Sequence, residues 1–72
     1  MTNEFGIPTG PIDNEPRGFR PGDEQEAILR DTLRAAGVEL GEYDERIVKW
    51  LTGWEWSTVA TIASWVERAR RD

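Results

Sequence analysis

The chain has 72 residues, a net charge of −5, and neither cysteine nor histidine. This length allows one small domain, and the missing residue types exclude a disulfide framework, a thiolate metal site and the usual general base near neutral pH. No apolar run approaches the roughly 20 residues of a membrane span, and the N-terminus lacks the pattern of a secretory signal. We therefore expect a cytoplasmic protein without a membrane partner.

Residues 1–22 form the first predicted region, a disordered tail rich in proline and glycine. They hold all four prolines and four of the seven glycines of the chain. Proline removes amide donors and glycine adds chain entropy, so regular structure is disfavoured here. The apolar residues of this region are too sparse to form a core. Docking on the domain or on a partner is the alternative to disorder, and the residues available for it are Phe5, Ile7, Ile12 and Phe19.

Residues 23–72 form the second predicted region, a domain of three helices. The first helix is predicted over residues 24–36, with Asp23 as N-cap and Gly37 as the left-handed stop. The second is predicted to start at residue 42 or 45 and to end before Gly53. The third is predicted to start at Ser57, a favourable N-cap residue. A short strand over residues 58–62 is the alternative there, because valine, isoleucine and threonine are modest helix formers.

Helical periodicity also predicts which faces form the core. On the second helix, the predicted inward face comprises Tyr43, Ile47, Trp50, Leu51 and Trp54. Val48 lies on the flank of this face. On the third helix, the predicted stripe comprises Val59, Ile62, Ala63, Val66 and Ala69. Trp65 lies at the edge of that stripe and Trp56 lies in the preceding turn. The predicted fold is therefore all-α, with a helical hairpin that resembles a helix-turn-helix.

The tryptophans outside the predicted core indicate a binding surface. Exposed tryptophans are enriched where proteins contact partners, and Trp56, Trp65 and the neighbouring Thr58 are the predicted partner-binding residues. Closing the ends of the core is the alternative role for these two tryptophans. On this basis we expect a non-enzymatic protein-interaction module whose partner is another protein or a second copy of the chain.

A DNA-binding regulator is the alternative function. In a helix-turn-helix, the third helix would read the major groove, and the residues facing DNA would be Thr58, Thr61, Ser64, Arg68 and Arg71. Charge disfavours this partner, since residues 23–44 alone carry seven acids against two arginines, whereas DNA-binding proteins usually present a basic patch. The acidic stretch itself is typical of a solvated helix face, and a surface for a basic partner is its alternative role.

Catalytic and cofactor chemistry find little support in the sequence. No carboxylate is placed in an apolar pocket that would raise its pKa, and the glycines punctuate helices rather than forming a phosphate-binding loop. We therefore expect no enzymatic activity, no cofactor and no bound metal.

Residues 36–69 resemble short uncharacterised proteins of actinobacteria and their phages. The resemblance covers about half of the chain and is carried by residues 37–41, 43–44, 47–48, 50–51, 53–54, 58–60 and 65–69. It implies a small accessory or phage-borne protein, and it implies no activity and no catalytic residues.

Overall fold

The computed structural model describes residues 5–70 and shows an all-α fold. Its three helices are α1 (Gly22–Ala35), α2 (Glu42–Leu51) and α3 (Trp56–Ala69). The predicted fold class is therefore confirmed. Because α3 is helical throughout residues 58–62, the alternative of a short strand there is wrong. Residues 1–4 of the predicted tail, and residues 71–72, lie outside the described part.

The start of α1 differs from the prediction. Pro21 takes the N-cap position in an extended conformation, and the helix begins at Gly22. Asp23, the predicted N-cap, lies inside the first turn, where its Oδ1 accepts a hydrogen bond from the amide of the adjacent Glu24 at 2.9 Å. Proline fixes φ near −65° and needs no hydrogen-bond acceptor for its nitrogen, so it starts the helix two residues earlier than the aspartate would.

The end of α1 confirms the predicted stop at Gly37. This glycine has a φ of +80°, which is the left-handed conformation. Its amide donates to the carbonyl of Arg34 at 2.9 Å, and the amide of Val38 donates to the carbonyl of Leu33 at 3.0 Å. The two bonds satisfy carbonyls at the end of the helix in the Schellman arrangement.

A charged cluster links α2 to α1. Nη2 of Arg30 lies 2.6 Å from Oε1 of Glu45 on α2, and its Nε lies 2.9 Å from Oε2 of Glu26 on its own helix. The Arg30 guanidinium holds the pKa of Glu45 below its ordinary value, an effect that burial partly opposes and that the charge of Lys49 supports. The two glutamates in turn raise the pKa of Arg30.

The predicted inward face of α2 is wrong except for Leu51, which packs against the core. Within α2, which the structure describes completely, Val48 is the only buried residue. At 3.6 residues per turn, Val48 lies about 140° around the helix from Tyr43, so the contact of Val48 and Leu51 with the core turns the aromatic stripe outward. Tyr43 is 71% exposed and Trp50 is 59% exposed.

The inward face of α3 is rotated relative to the prediction. The helix begins at Trp56, and Ser57 is not its cap, because the Ser57 hydroxyl donates to a carboxylate oxygen of Glu55 at 2.9 Å. Trp56 then falls in phase with the buried side chains that follow it. The buried residues of α3 are Trp56, Val59, Ala60, Ala63 and Ser64. Of the predicted stripe, Ile62 and Val66 are half-buried and Ala69 is exposed.

The N-terminal segment contributes to the core. Residues 5–21 form no helix, but Ile7 is fully buried and Phe5 packs against the core. This is the docking alternative to a disordered tail. The core residues come from the segment and all three helices: Ile7, Ile28, Leu29, Val48, Trp56, Val59, Ala60 and Ala63.

Candidate functional site

One face of α3 points away from α1 and carries a second stripe at helical spacing. Its members are spaced i, i+3, i+4 and i+7, so they lie on the same side of the helix. They are Thr58, Thr61, Ile62 and Trp65. Trp65 is 58% exposed, whereas the other three are half-buried. The half-buried residues are partly covered by the N-terminal segment, which runs alongside this face.

Two contacts hold the N-terminal segment beside α3. The hydroxyl of Ser64 donates to the carbonyl of Pro8 at 2.6 Å, and Ile7 next to it is buried in the core. At the other end of the segment, the guanidinium of Arg20 lies 4.6 Å from the centre of the Trp56 ring and donates to the carbonyl of Phe5 at 2.8 Å. Because both ends are attached, the residues between them form a wall along α3.

The wall and the helix border an open groove with a volume of about 510 Å³. Its helical side is formed by the second stripe together with Ser57. Its other side is formed by Ile12, Asp13, Asn14, Glu15 and Pro16. The volume lies within the roughly 300–1,000 Å³ of sites that hold ligands in proteins. The groove thus combines an apolar floor with two exposed carboxylates and no lining base.

The predicted partner-binding residues divide between this groove and the core. Thr58 and Trp65 line the groove. Trp56 does not, because it is only 5% exposed, with Arg20 over its ring and the Gly18 backbone nearby. The prediction that Trp56 contacts a partner is therefore corrected: starting α3 one residue before Ser57 brings Trp56 into the inward phase of the helix.

The residues of the alternative DNA-binding set are not presented together on one free face. Thr58 and Thr61 line the groove, and the Thr61 hydroxyl donates to the Ser57 carbonyl at 2.8 Å. Ser64 is fully buried and cannot reach a base while it holds Pro8. Nε of Arg68 donates to the Ser64 hydroxyl oxygen at 3.1 Å. Arg71 lies outside the described residues.

A second apolar surface lies on α2 and is separate from the groove. We call it the aromatic face, and it consists of Tyr43, Ile47, Trp50 and Trp54. The Trp50 and Trp54 rings meet edge to face with their centres 5.5 Å apart. Trp54 follows the helix, and the buried amide of Gln25 holds it in place by donating to the carbonyls of Thr52 and Trp54 at 3.2 and 2.9 Å.

The sequence contains signals for the groove residues that the prediction missed. Ile62 was assigned to the core stripe, although it is also spaced three and four residues from Trp65 and Thr58, and that spacing identifies the outward face. Asp13 and Glu15 have no comparable signal, because they belong to an irregular segment. Only tertiary contacts place this segment along α3, namely the burial of Ile7, the Ser64–Pro8 hydrogen bond and the contact of Arg20 with Trp56.

Compared with known proteins, the chain matches no family model, no curated protein and no solved structure. Among the helices within residues 5–70, none has the length and apolar character needed to cross a bilayer. The same residues contain no group of three or more acidic side chains placed to hold a metal ion. Geometry and chemistry of the two surfaces are therefore the basis for a functional proposal.

Proposed function

We propose that this protein is a small non-enzymatic interaction module that binds a protein partner, either another protein or a second copy of the chain, in the groove between α3 and residues 12–16. The observation that carries the proposal is Trp65, a large aromatic side chain that is 58% exposed beside the half-buried Ile62 in the groove. Large exposed apolar side chains in a concave surface are typical of protein-interaction sites. The resemblance of residues 36–69 adds the proposal that it is an accessory protein of actinobacteria or their phages.

The chemistry of the groove indicates the kind of segment it would bind. Ile62 and Trp65 offer apolar contacts, while Asp13 and Glu15 are exposed at the opposite side. Complementary charge favours a partner with lysine or arginine beside a large apolar residue. The same two carboxylates would repel the phosphates of nucleic acid, and Ser64 is already bonded within the fold. These features support a protein partner over the DNA-binding alternative.

Selection from a displayed random peptide library tests this proposal. We expect selected peptides to carry an aromatic or large aliphatic residue flanked by lysine or arginine. We expect Trp65→Ser to weaken their binding at least about tenfold, which corresponds to about 1.4 kcal/mol. The matched control is Trp54→Ser, which removes an exposed tryptophan from the other surface and should leave the affinity within about twofold.

Two results would overturn the proposal. One is a library that yields no binding peptide, and the other is a selected peptide that binds the Trp65→Ser variant as tightly as the original protein. A random DNA duplex serves as a second ligand beside the peptides. Binding to that duplex that falls steeply with added salt and is lost in Arg68→Ala would instead support the DNA-binding regulator.

A further inference from the structure

We infer that the groove of one molecule accepts the aromatic face of a second copy of the same chain, so that the protein associates head to tail. The inference rests on the proposed function of the groove and names its occupant. The two surfaces share no residue, because the aromatic face lies on α2 and in the following turn, while the groove lies between α3 and residues 12–16. Each molecule can therefore offer both surfaces at the same time.

Both surfaces are apolar, and one projects aromatic rings while the other is a groove. The aromatic face presents a Trp50–Trp54 pair that is 59% and 48% exposed and held edge to face. Because Gln25 fixes the backbone at Trp54, little ordering of this end of the face is needed on association. The groove offers about 510 Å³ with Ile12, Ile62 and Trp65 along it. About half of each ring is still exposed, so each tryptophan that enters would bury on the order of 100 Å² more.

The charges of the two surfaces are opposite next to Trp50, whereas the far end of the aromatic face carries the exposed acids Glu42 and Asp44. Arg46 and Lys49 lie on one border of the aromatic face, both are exposed, and neither forms an ion pair with any described residue. Glu42 lies on the same border but at the end away from Trp50. The groove carries Asp13 and Glu15 and no base. In a protein of net charge −5, this arrangement brings cations to carboxylates between two copies.

The same charges disfavour a symmetric dimer through the aromatic face alone. In an interface with two-fold symmetry each surface contacts itself. Antiparallel packing centred between Ile47 and Trp50 would bring Arg46 and Lys49 of one copy close to the same two residues of the other. Like charges placed together in this way oppose association. Association through two different surfaces avoids this repulsion, and it extends to chains or rings rather than stopping at a dimer.

Mixing two variants that each lack one surface tests the inference by analytical ultracentrifugation. The first variant combines Trp50→Ser with Trp54→Ser, and the second is Trp65→Ser. We expect the average mass of the original protein to rise beyond that of a dimer with concentration, whereas each variant alone stays monomeric. An equimolar mixture should form a heterodimer and nothing larger, because only one groove and one aromatic face remain.

Charge variants provide a second arm of the test. Arg46→Glu with Lys49→Glu should weaken self-association at least about fivefold at low salt. Asp13→Lys with Glu15→Lys, supplied as the partner molecule, should restore it. Thermal unfolding of every variant checks that the fold is kept, which is expected because all the substituted side chains are exposed.

Three outcomes would overturn the inference: an original protein that remains monomeric, a Trp65→Ser variant that still self-associates, or a mixture that forms no heterodimer. Peptide binding separates this failure from that of the proposed function. If selected peptides bind in a Trp65-dependent way while the protein stays monomeric, the groove has a different occupant. If Trp65→Ser has no effect on the peptides, the groove is not the binding site.

Discussion

α2 and α3 use their aromatic residues in opposite ways. Trp56 on α3 is buried between the helix and the N-terminal segment, with the Arg20 guanidinium over its ring. Trp50 on α2 points outward, since α2 contacts the core only through Val48 and Leu51. The difference arises from what lies around each helix: α3 is covered by α1 on one side and by the segment on another, whereas α2 packs mainly against α1.

Replacing the buried tryptophan and, separately, an exposed tryptophan should give the largest difference in the free energy of unfolding. We expect Trp56→Ala to lower the free energy of unfolding by about 3–5 kcal/mol, because it leaves a cavity in the core and removes the partner of Arg20. We expect Trp54→Ala to lower it by no more than about 1.5 kcal/mol, since that side chain is half exposed and loses mainly its edge-to-face contact with Trp50. Urea unfolding followed by far-ultraviolet circular dichroism measures both. Similar losses for the two variants would contradict the assignment of Trp56 to the core.

The burial of aromatic residues on α3 also depends on the N-terminal segment, which covers this helix. We expect Ile7→Ala to lower the free energy of unfolding by about 2–5 kcal/mol, because Ile7 is fully buried. Phe19→Ala in the same segment is the matched control, with 86% of that residue exposed, and it should leave stability within about 0.5 kcal/mol. A neutral Ile7→Ala variant would mean that the segment does not dock, and the groove would then lack one wall.

The smallest effect on stability is expected from the ion pair between α1 and α2. The pKa of Glu45 is lowered by Arg30 in the folded protein, so its contribution to stability is present above the ordinary pKa of a glutamate and is lost as the pH falls through the lowered value. Acidification from about pH 7 to about pH 3 should therefore destabilise the original protein more than Glu45→Gln. The side chains are partly exposed, so salt should reduce the difference.

Glu39→Gln is the control for this pH experiment. Glu39 is exposed in the loop before α2 and forms no ion pair with any other residue from 5 to 70. Its replacement should leave the pH dependence of the original protein unchanged. If Glu45→Gln behaved in the same way as this control, the pair with Arg30 would not orient α2.

The three helices could be predicted from periodicity and from the stop at Gly37, but most of the inward face of α2 could not, and that of α3 could be predicted only in part. On α2, both the aromatic stripe and Val48 with Leu51 satisfy helical spacing, and periodicity does not say which of them faces α1. The choice depends on tertiary contacts such as the Arg30–Glu45 pair. On α3, Ser57 is a favourable N-cap residue, and a helix that starts there leaves Trp56 outside. The helical spacing of Trp56 and Val59 on one inward face is then missed.

The groove could be predicted only in part. Thr58 and Trp65 were identified because they flank the apolar stripe of one helix, and helical spacing is visible in the sequence. The opposite wall is an irregular segment, whose few apolar residues have no period. The sequence around Ile7 does not indicate whether this side chain is buried, because the space that it fills exists only once α1 and α3 have packed.

The most direct test of this account is the solvent exposure of the four tryptophan indoles. A soluble paramagnetic agent added to the ¹⁵N-labelled protein broadens exposed indole resonances, and single Trp→Phe variants assign the four signals. At concentrations where the protein is monomeric, we predict strong broadening for Trp50, Trp54 and Trp65 and little for Trp56. Equal broadening of Trp56 and Trp65, or protection of Trp50 and Trp54 in the monomer, would contradict the division between a buried and an outward aromatic surface.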